Sequence, residues 1–278
     1  MFSPRVARAI YKILGNPDIR DRRARFQFRD AGHGYDRFGL HPDLVAFADL
    51  FTTPTYERWF RVKTYGSEFI PADGPAIVAA NHSGTLPYDA AMLWADIYRH
   101  TSPPRAARAI ADYFVPSLPL IGTMFARTGM VGGSKGNARA LLEAGELVML
   151  FPEGEPGISK PYKERYQLQE WRQGHCELAI RHSAPIVPVA IIGAEEQLPV
   201  IGRLPGIGAL PHIPITLTPW PLPVRYHIHY GPAIPVHKRY TPNQADDPDL
   251  VAEAAAEVKA AVQVLMDRGL KMRNGVFR

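Results

Sequence analysis

The chain has 278 residues, is 46% hydrophobic and carries a formal net charge of +5. That is enough to bury a full core, as one large α/β domain or two smaller ones, and the expectation is one domain with an N-terminal appendage. Cys176 is the single cysteine, which excludes an intrachain disulfide and points to a reducing compartment, the cytoplasm.

The positive excess is mild and concentrated at the N-terminus, in Arg5, Arg8, Lys12, Arg20, Arg22, Arg23, Arg25 and Arg29. An anionic surface is the expected partner there, and no nucleic acid is. No stretch approaches the roughly 20 apolar residues of a spanning helix. The opening MFSPRVARAIYKILGNPD is interrupted by charge too often for a secretory segment. The expectation is a protein that neither crosses the membrane by a conventional helix nor is exported.

Residues 2–14 read as a helix with two faces: Phe2, Val6, Ile10 and Leu14 on one stripe, Arg5, Arg8 and Lys12 on another. Such a helix either lies in an anionic lipid interface or packs on the domain. Pro42–Val62 is rich in aromatic and aliphatic residues and, broken by Thr52-Thr53-Pro54, reads as two short helical pieces. Residues 1–61 are thus expected to form an N-terminal helical membrane-association region, and 62–278 an α/β domain.

AIVAA (76–80), LVMLF (147–151) and IVPVAII (186–192) are short apolar runs rich in β-branched residues with Gly, Pro or polar bounds, as buried strands require. Helical segments fall between them at Pro87 to about Tyr98, at Asn137–Glu143 with Gly145 as a stop, and at Gly174–His182. The alternation implies an α/β fold with a mostly parallel central sheet flanked by helices. Pro199–Pro223 is dense in proline and glycine and reads as a long ordered loop or lid, a candidate wall for an acyl-chain channel. VRYHIHY (224–230) alternates as a late strand. Asp247-Pro248 then opens a last helix with Val251, Ala255, Val258, Val262 and Leu265 on one stripe.

His82 and Glu153 each lie just past a predicted parallel strand, at the sheet edge where ligands bind in open α/β folds. A histidine there can take a proton from a hydroxyl if a carboxylate holds its other ring nitrogen, and Asp89 is the nearest candidate. Equally, Asp89 in the first turn of a helix is favoured by the helix dipole alone.

NHSGTLPYD, GTMFART, FPEGEPG and APIVPVAI occur in the order of the four sequence blocks of the lysophospholipid (glycerolphosphate) acyltransferase superfamily, which the chain resembles from about Val62 to Pro235. The combination NHSGTLPYDA, FPEG, GISKPYKERY and PIVPVAIIGAEE looks most like the subgroup related to monoacylglycerol and diacylglycerol acyltransferases. The resemblance implies acyl transfer from acyl-CoA or acyl carrier protein to a hydroxyl of a glycerolipid or lysophospholipid acceptor, with no metal and no cofactor beyond that co-substrate. It makes His82 the general base and Asp89 the group that orients it. Glu153, Gly154 and, approximately, Arg127 fall on acceptor-binding positions, and Asn81, Pro152 and Pro188 on structural ones. It also implies peripheral association with the inner leaflet of the membrane.

Two departures matter. The common H-x-x-x-x-D spacing is here enlarged to six intervening residues, Ser83 to Tyr88. The arginine that often follows the E-G pair in phosphate-using members is absent, because Glu155 and Pro156 follow Gly154. Either Arg127, Lys135, Lys160 or Lys163 supplies the charge for a phosphate, or the acceptor is neutral. Lys135 and Arg139 are further candidates for coenzyme A phosphates, beside the glycines of GGSKG.

Two rival readings remain. GGSKG (132–136) satisfies the nucleophile-elbow pattern of an α/β-hydrolase with Ser134 as nucleophile, although ARTGMVG before it is a poor strand. A non-enzymatic membrane-surface protein that binds lipid would leave His82 and Glu153 dispensable. Ser83 adjoins its would-be base and reads as a supporting hydrogen-bonder or turn residue. His227 and His229, on one face of an alternating strand without ligands nearby, fit an exposed face better than a metal site.

Overall fold

The computed structural model describes residues 3–84, 86–112, 115, 120–205 and 212–278. Three helices come first: α1 (Pro4–Leu14), α2 (Pro17–Arg25) and α3 (Pro42–Pro54). Each begins with proline at its first position, behind a side chain that caps the free backbone donors: Ser3, Asn16 and His41.

On α1 the face turned to α3 carries Ala7 and Tyr11, while Val6, Ile13 and Leu14 are exposed and Ile10 is half-buried. The predicted stripe at spacing four therefore points largely outward; Phe2, its first member, lies outside the described residues. Small Ala7 permits close approach to α3, and the Tyr11 hydroxyl donates to the buried Asp43 at 2.9 Å.

Asp43 also pairs with Arg8 at 2.6 Å and Arg23 at 3.0 Å, and Asp49 pairs with Arg22 at 2.7 Å and Arg99 at 2.9 Å. Arg20 donates to the Gly15 carbonyl, and Arg25 pairs with Asp21. Much of the N-terminal basic cluster is thus spent on stapling α1 and α2 to α3 rather than left free for an anionic surface.

Thr52-Thr53 does not break α3, because both hydroxyls back-bond to the Asp49 carbonyl. The helix instead runs to Pro54 and loosens into a π-helical turn, Thr55–Trp59.

Seven strands form the main sheet: β1 (Lys63–Tyr65), β2 (Ala76–Ala80), β3 (Arg108–Ala111), β4 (Val131–Gly132), β5 (Leu147–Leu150), β6 (Ile186–Ile192) and β9 (His227–Tyr230). Their order is β1-β9-β6-β2-β5-β3-β4, parallel throughout except where β6 meets β9. Central β2 is buried on both faces. Ala76, Val78 and Ala80 pack toward α4 (Tyr88–His100), while Ile77 and Ala79 pack toward α8 (Gly174–Arg181) and α11 (Pro248–Met272). Pro188 is tolerated in β6 because it lies opposite the end of β9, where Gly231, the residue after that strand, needs only an acceptor: its N–H donates to the Pro188 carbonyl.

Asp247 caps α11 by accepting from Asp249 and Leu250, and Val251, Ala255, Val258 and Val262 bury one stripe. The strand readings at 76–80 and 186–192 coincide with β2 and β6. The helix read from Asn137 begins two residues earlier, as α6 (Lys135–Glu143), because Ser134 caps it.

Two expectations are corrected. The 199–223 segment is not irregular: Val200–Pro205 (β7) and His212–Thr216 (β8) form an antiparallel ribbon separate from the main sheet, with residues 206–211 outside the described ones. Proline survives there because a two-stranded ribbon leaves its outer edges unpaired. Likewise His227 and His229 are buried, not exposed. Tyr65 stacks on His229 at 4.4 Å, and α11 approaches so closely at Gly269 that a Cβ there would lie 2.7 Å from the His229 ring nitrogen.

Candidate active site

Because β2, β5 and β6 are parallel, their C-terminal ends share one edge, and the residues that follow them meet there. Asn81 ends β2 by exchanging two hydrogen bonds with the Ile191 backbone, donating from Nδ2 at 3.0 Å and accepting at Oδ1 at 2.7 Å. Its side chain extends the ladder to β6 by one rung and fixes where the chain turns.

His82 follows, with Nδ1 2.6 Å from Asp89 Oδ2. The lengthened turn, whose Thr85 lies outside the described residues, therefore still closes the pair. Asp89 is fully buried, and the His82 side chain is 13% exposed. Asp89 Oδ2 also accepts from the Ser83 N–H at 2.9 Å, and Oδ1 accepts from the Ala90 N–H at 2.7 Å. A carboxylate with these donors makes Nδ1–H the favoured tautomer and leaves Nε2 with its lone pair. The imidazole stacks on Phe151, the last residue before FPEG turns, at 4.2 Å.

The rotation of α4 that aims Asp89 is itself pinned two turns on. Buried Asp96 accepts from the hydroxyls of Tyr56 at 2.5 Å, Tyr230 at 2.7 Å and Thr64. Three elements outside α4 thus hold the helix that carries the carboxylate.

Glu153 is buried, and its two oxygens face backbone donors: His82 N–H at 3.0 Å and Gln169 N–H at 2.8 Å. The carboxylate ties the histidine turn to the FPEG turn. Gly154, at φ 59° and ψ −145°, occupies a region open essentially to glycine alone, and a Cβ there would lie 3.3 Å from the Arg172 guanidinium carbon. Gly157 matters as much: a Cβ on it would meet the His82 carbonyl at 2.9 Å. Neither Gly157 nor Arg172 stood out in the sequence, since nothing local marks a close approach between residues 75 apart or an arginine folding back onto Gly154.

Several sequence candidates are engaged elsewhere. Lys160 is buried, donates to the Gln167 carbonyl at 3.0 Å and pairs with Glu195 at 3.0 Å, with Glu153 4.0 Å away. Its single charge sits between two buried acids and is not presented to a phosphate. Burial pushes the Glu195 carboxyl up to about 7 against the pull of Lys160. Lys135 pairs with Glu177 at 2.8 Å in a groove whose other charged residue is Asp246, a poor setting for an anion. Arg139 pairs with Glu143, and Lys163 is largely exposed.

Arg127, on α5 (Ile121–Thr128), donates to the Gly39 carbonyl at 3.0 Å and lies over Tyr35. It faces the N-terminal segment. Ser134 Oγ accepts from Asn137 N–H at 3.0 Å as the cap of α6, an ordinary role that a strained nucleophile turn would not give it. Ser83 is buried, and its hydroxyl has no hydrogen-bond partner among the described residues.

The comparisons with known proteins agree with this frame. A model of the Acyltransferase family matches residues 61–192, which include β2, the His82 turn, β5, Glu153 and β6. An uncharacterised protein of Mycobacterium tuberculosis is 36% identical over 261 residues, covering 88% of this chain and 72% of that protein. The human DGAT1/2-independent enzyme synthesizing storage lipids is 29% identical over 227 residues, covering 79% of this chain and 65% of that enzyme. Among solved structures, the 1-acyl-sn-glycerophosphate acyltransferase PlsC from Thermotoga maritima superposes with a TM-score of 0.56 at 18% identity, over 84% of this chain and 82% of that one, and shares the fold. By its sequence, the chain belongs to the acyltransferase family.

Proposed function

We propose that the protein moves a fatty acyl group from a thioester, acyl-CoA or acyl carrier protein, to a hydroxyl of a glycerolipid acceptor, with His82 as general base. The observation that carries this reading is the 2.6 Å contact between His82 Nδ1 and buried Asp89 at the C-terminal edge of the sheet. Nε2 accepts the proton of the acceptor hydroxyl as its oxygen attacks the thioester carbonyl, and Asp89 stabilises the imidazolium that forms. Collapse of the tetrahedral intermediate breaks the C–S bond, and the imidazolium returns its proton to the departing thiolate. The Gly84 N–H, without an acceptor among the described residues, is suited to the oxyanion.

The preferred acceptor in this reading is a neutral acylglycerol. Lys160, Lys135 and Arg139 are paired with acids, which removes most of the cations a phosphate would need. A relative whose name states storage-lipid synthesis points the same way. One observation favours a phosphorylated acceptor instead: the exposed Arg172 guanidinium rests on Gly154, and no acid pairs with it among the described residues.

We further propose that residues 1–61 rest on the cytoplasmic leaflet through Val6, Ile13, Leu14 and Phe51, which are exposed on α1 and α3. No helix among the described residues is long and apolar enough to cross a membrane.

The test is purified protein with an acyl-CoA and a panel of monoacylglycerol, diacylglycerol, lysophosphatidate and other lysophospholipids, following both thiol release and lipid product. Wild type should release thiol with at least one acceptor, and His82→Ala should lose about 10²- to 10⁴-fold. If lysophosphatidate is preferred and Arg172→Ala raises its KM alone, the phosphorylated acceptor replaces the neutral one. Thiol release that is unchanged in His82→Ala sinks the mechanism.

A further inference from the structure

We infer that the β7–β8 ribbon is a membrane-docking wedge that dips into the bilayer beside the active site, a second contact separate from the N-terminal helices. Ile201, Leu204, Ile215, Leu217 and Trp220 are all exposed on or just after the ribbon. A two-stranded ribbon detached from the main sheet is at best marginally stable in water, and this one holds large apolar side chains in solvent with nothing among the described residues packed over them. That arrangement suits an element whose apolar surface is covered by something else.

Three observations identify the cover as lipid. The first is position. The ribbon leaves the C-terminal end of β6, and Leu198 and Val200 at its root line a small cavity together with Gly84 and Gly157, which flank and touch the His82 turn. Leu86, in that same turn, is exposed as well. The apolar surface is therefore continuous with the site at which a water-insoluble acceptor must arrive.

The second is charge. From Leu198 to Pro223 the chain has no Asp or Glu, and Arg203 and His212 are its only titratable side chains. Arg61 donates to the Pro223 carbonyl at 2.7 Å, and exposed Lys163 and Arg165 follow Tyr162, which lines the same cavity. An acid-free wedge beside Arg61, Arg165 and the Lys163–Glu164 pair, a net-basic surround, complements an anionic headgroup layer, whereas a protein interface would not need the acids excluded.

The third is Trp220, placed just after the ribbon and exposed, where the neighbouring Pro221 carbonyl accepts from Trp59 Nε1–H at 3.2 Å and holds the segment to the turn after α3. An amphipathic ring at the boundary between exposed apolar strand residues and a basic root fits the headgroup level of a bilayer.

The acyl-transfer reading enters only as the reason for lipid near His82, so the test separates the two. The full-length protein is mixed with phosphatidylcholine vesicles with and without phosphatidylglycerol, some carrying brominated acyl chains, and binding and tryptophan quenching are read without any acyl donor. Wild type should bind, more tightly with phosphatidylglycerol, and lose fluorescence to the bromolipid; Trp220→Phe should remove most of that quenching. Leu204→Glu and Leu217→Glu should each weaken vesicle partition by about tenfold or more, with the thermal midpoint unchanged because both side chains are exposed. With an acyl-CoA, the same variants should lose turnover on vesicle-borne acceptor and keep it on a short-chain acceptor below its micellar concentration.

The proposal is overturned if both variants bind vesicles as wild type does, if Trp220 is not quenched, or if binding depends on Arg5→Glu with Lys12→Glu alone. It is overturned equally if Leu204→Glu changes the sedimentation of the lipid-free protein, which would make the face a contact between copies. Ribbon-dependent binding without any thiol release supports the wedge and sinks the acyl-transfer reading.

Discussion

Asp89 serves the His82 ring, the Ser83 N–H and the Ala90 N–H with two oxygens, so its replacement by Asn is a test of electronics more than of shape. An amide keeps one acceptor but can turn its N–H₂ toward Nδ1, which moves the imidazole proton to Nε2 and leaves no lone pair for the acceptor hydroxyl. Asp89→Asn should therefore lower kcat by about 10²- to 10⁴-fold with a smaller change in KM, measured by thiol release. Glu153 presents a related case in which both oxygens are acceptors of backbone N–H groups. Glu153→Gln must set an N–H₂ against one of those donors, at about 1–3 kcal/mol. It should lower the thermal midpoint and, by loosening the His82 backbone, lower kcat by up to about 10²-fold. If turnover is unchanged while the midpoint falls, Glu153 braces the fold and not the histidine. At this scale the sequence was most legible where chemistry repeats in type: His82, Asp89 and Glu153 each lie just after a strand or at a helix start. It was least legible for Lys160 and Arg127, whose charge invited a ligand role, because a sequence does not reveal which acid or carbonyl a long side chain will meet.

Elements differ in how openly they announce themselves. β2, β5 and β6 are buried on both faces, and so appear as unbroken apolar runs that no helix of that length would produce. β1, β3 and β4 were not foreseen; they have two to four residues, lie toward the sheet margins, and include Lys63 and Arg108, which blur the pattern. Arg108 is nevertheless buried, because Asp36 pairs with it. The ribbon was hidden for the opposite reason, since its prolines mark turns everywhere except where a strand has no neighbour to satisfy. For α1 the periodicity gave the helix but not its rotation, and α2 was not foreseen; both are set against α3 by Asp43 and Asp49. Asp43 pairs with two arginines that are partly exposed, so Asp43→Ala should cost about 2–3 kcal/mol, between the values for surface and buried pairs. The cost should fall on the element and leave the sheet folded. Trypsin should cut faster within residues 20–29 of this variant while the remaining fragment persists; whole-chain digestion at the wild-type rate would show that α1 and α2 are held by apolar packing instead.

The molecule as a whole buries more basic nitrogen than its exterior suggests. His227 and His229 on β9 and His175 on α8 are pushed down to about 4, in each case chiefly by burial, and both ring nitrogens of His227 and Nε2 of the other two have no hydrogen-bond partner among the described residues. For all three, unfolding raises proton affinity toward the ordinary value of 6.5. Between pH 6.5 and about 4 the unfolded chain therefore binds more protons than the folded one, and stability falls as pH falls. Glu195 works against this trend: held up at about 7, it favours the folded state's proton uptake between 4.5 and 7. Glu146 is likewise held up by burial, but His41, His182 and His237 are pushed down by it as well, so the histidines outnumber the carboxyls and decide the sign. Each imidazole contributes at most about 1.4 kcal/mol per pH unit, so the thermal midpoint should drop steeply between pH 6.5 and 5. In His227→Asn with His229→Asn, the midpoint at pH 7.5 should be lower, since Asn fills less of the packed space against Tyr65 and Gly269. Its further decline from pH 7.5 to 5 should nevertheless be much smaller than in wild type. Parallel midpoint curves for the two proteins would mean that water reaches these rings in the folded state, and that the acid sensitivity of the chain arises elsewhere.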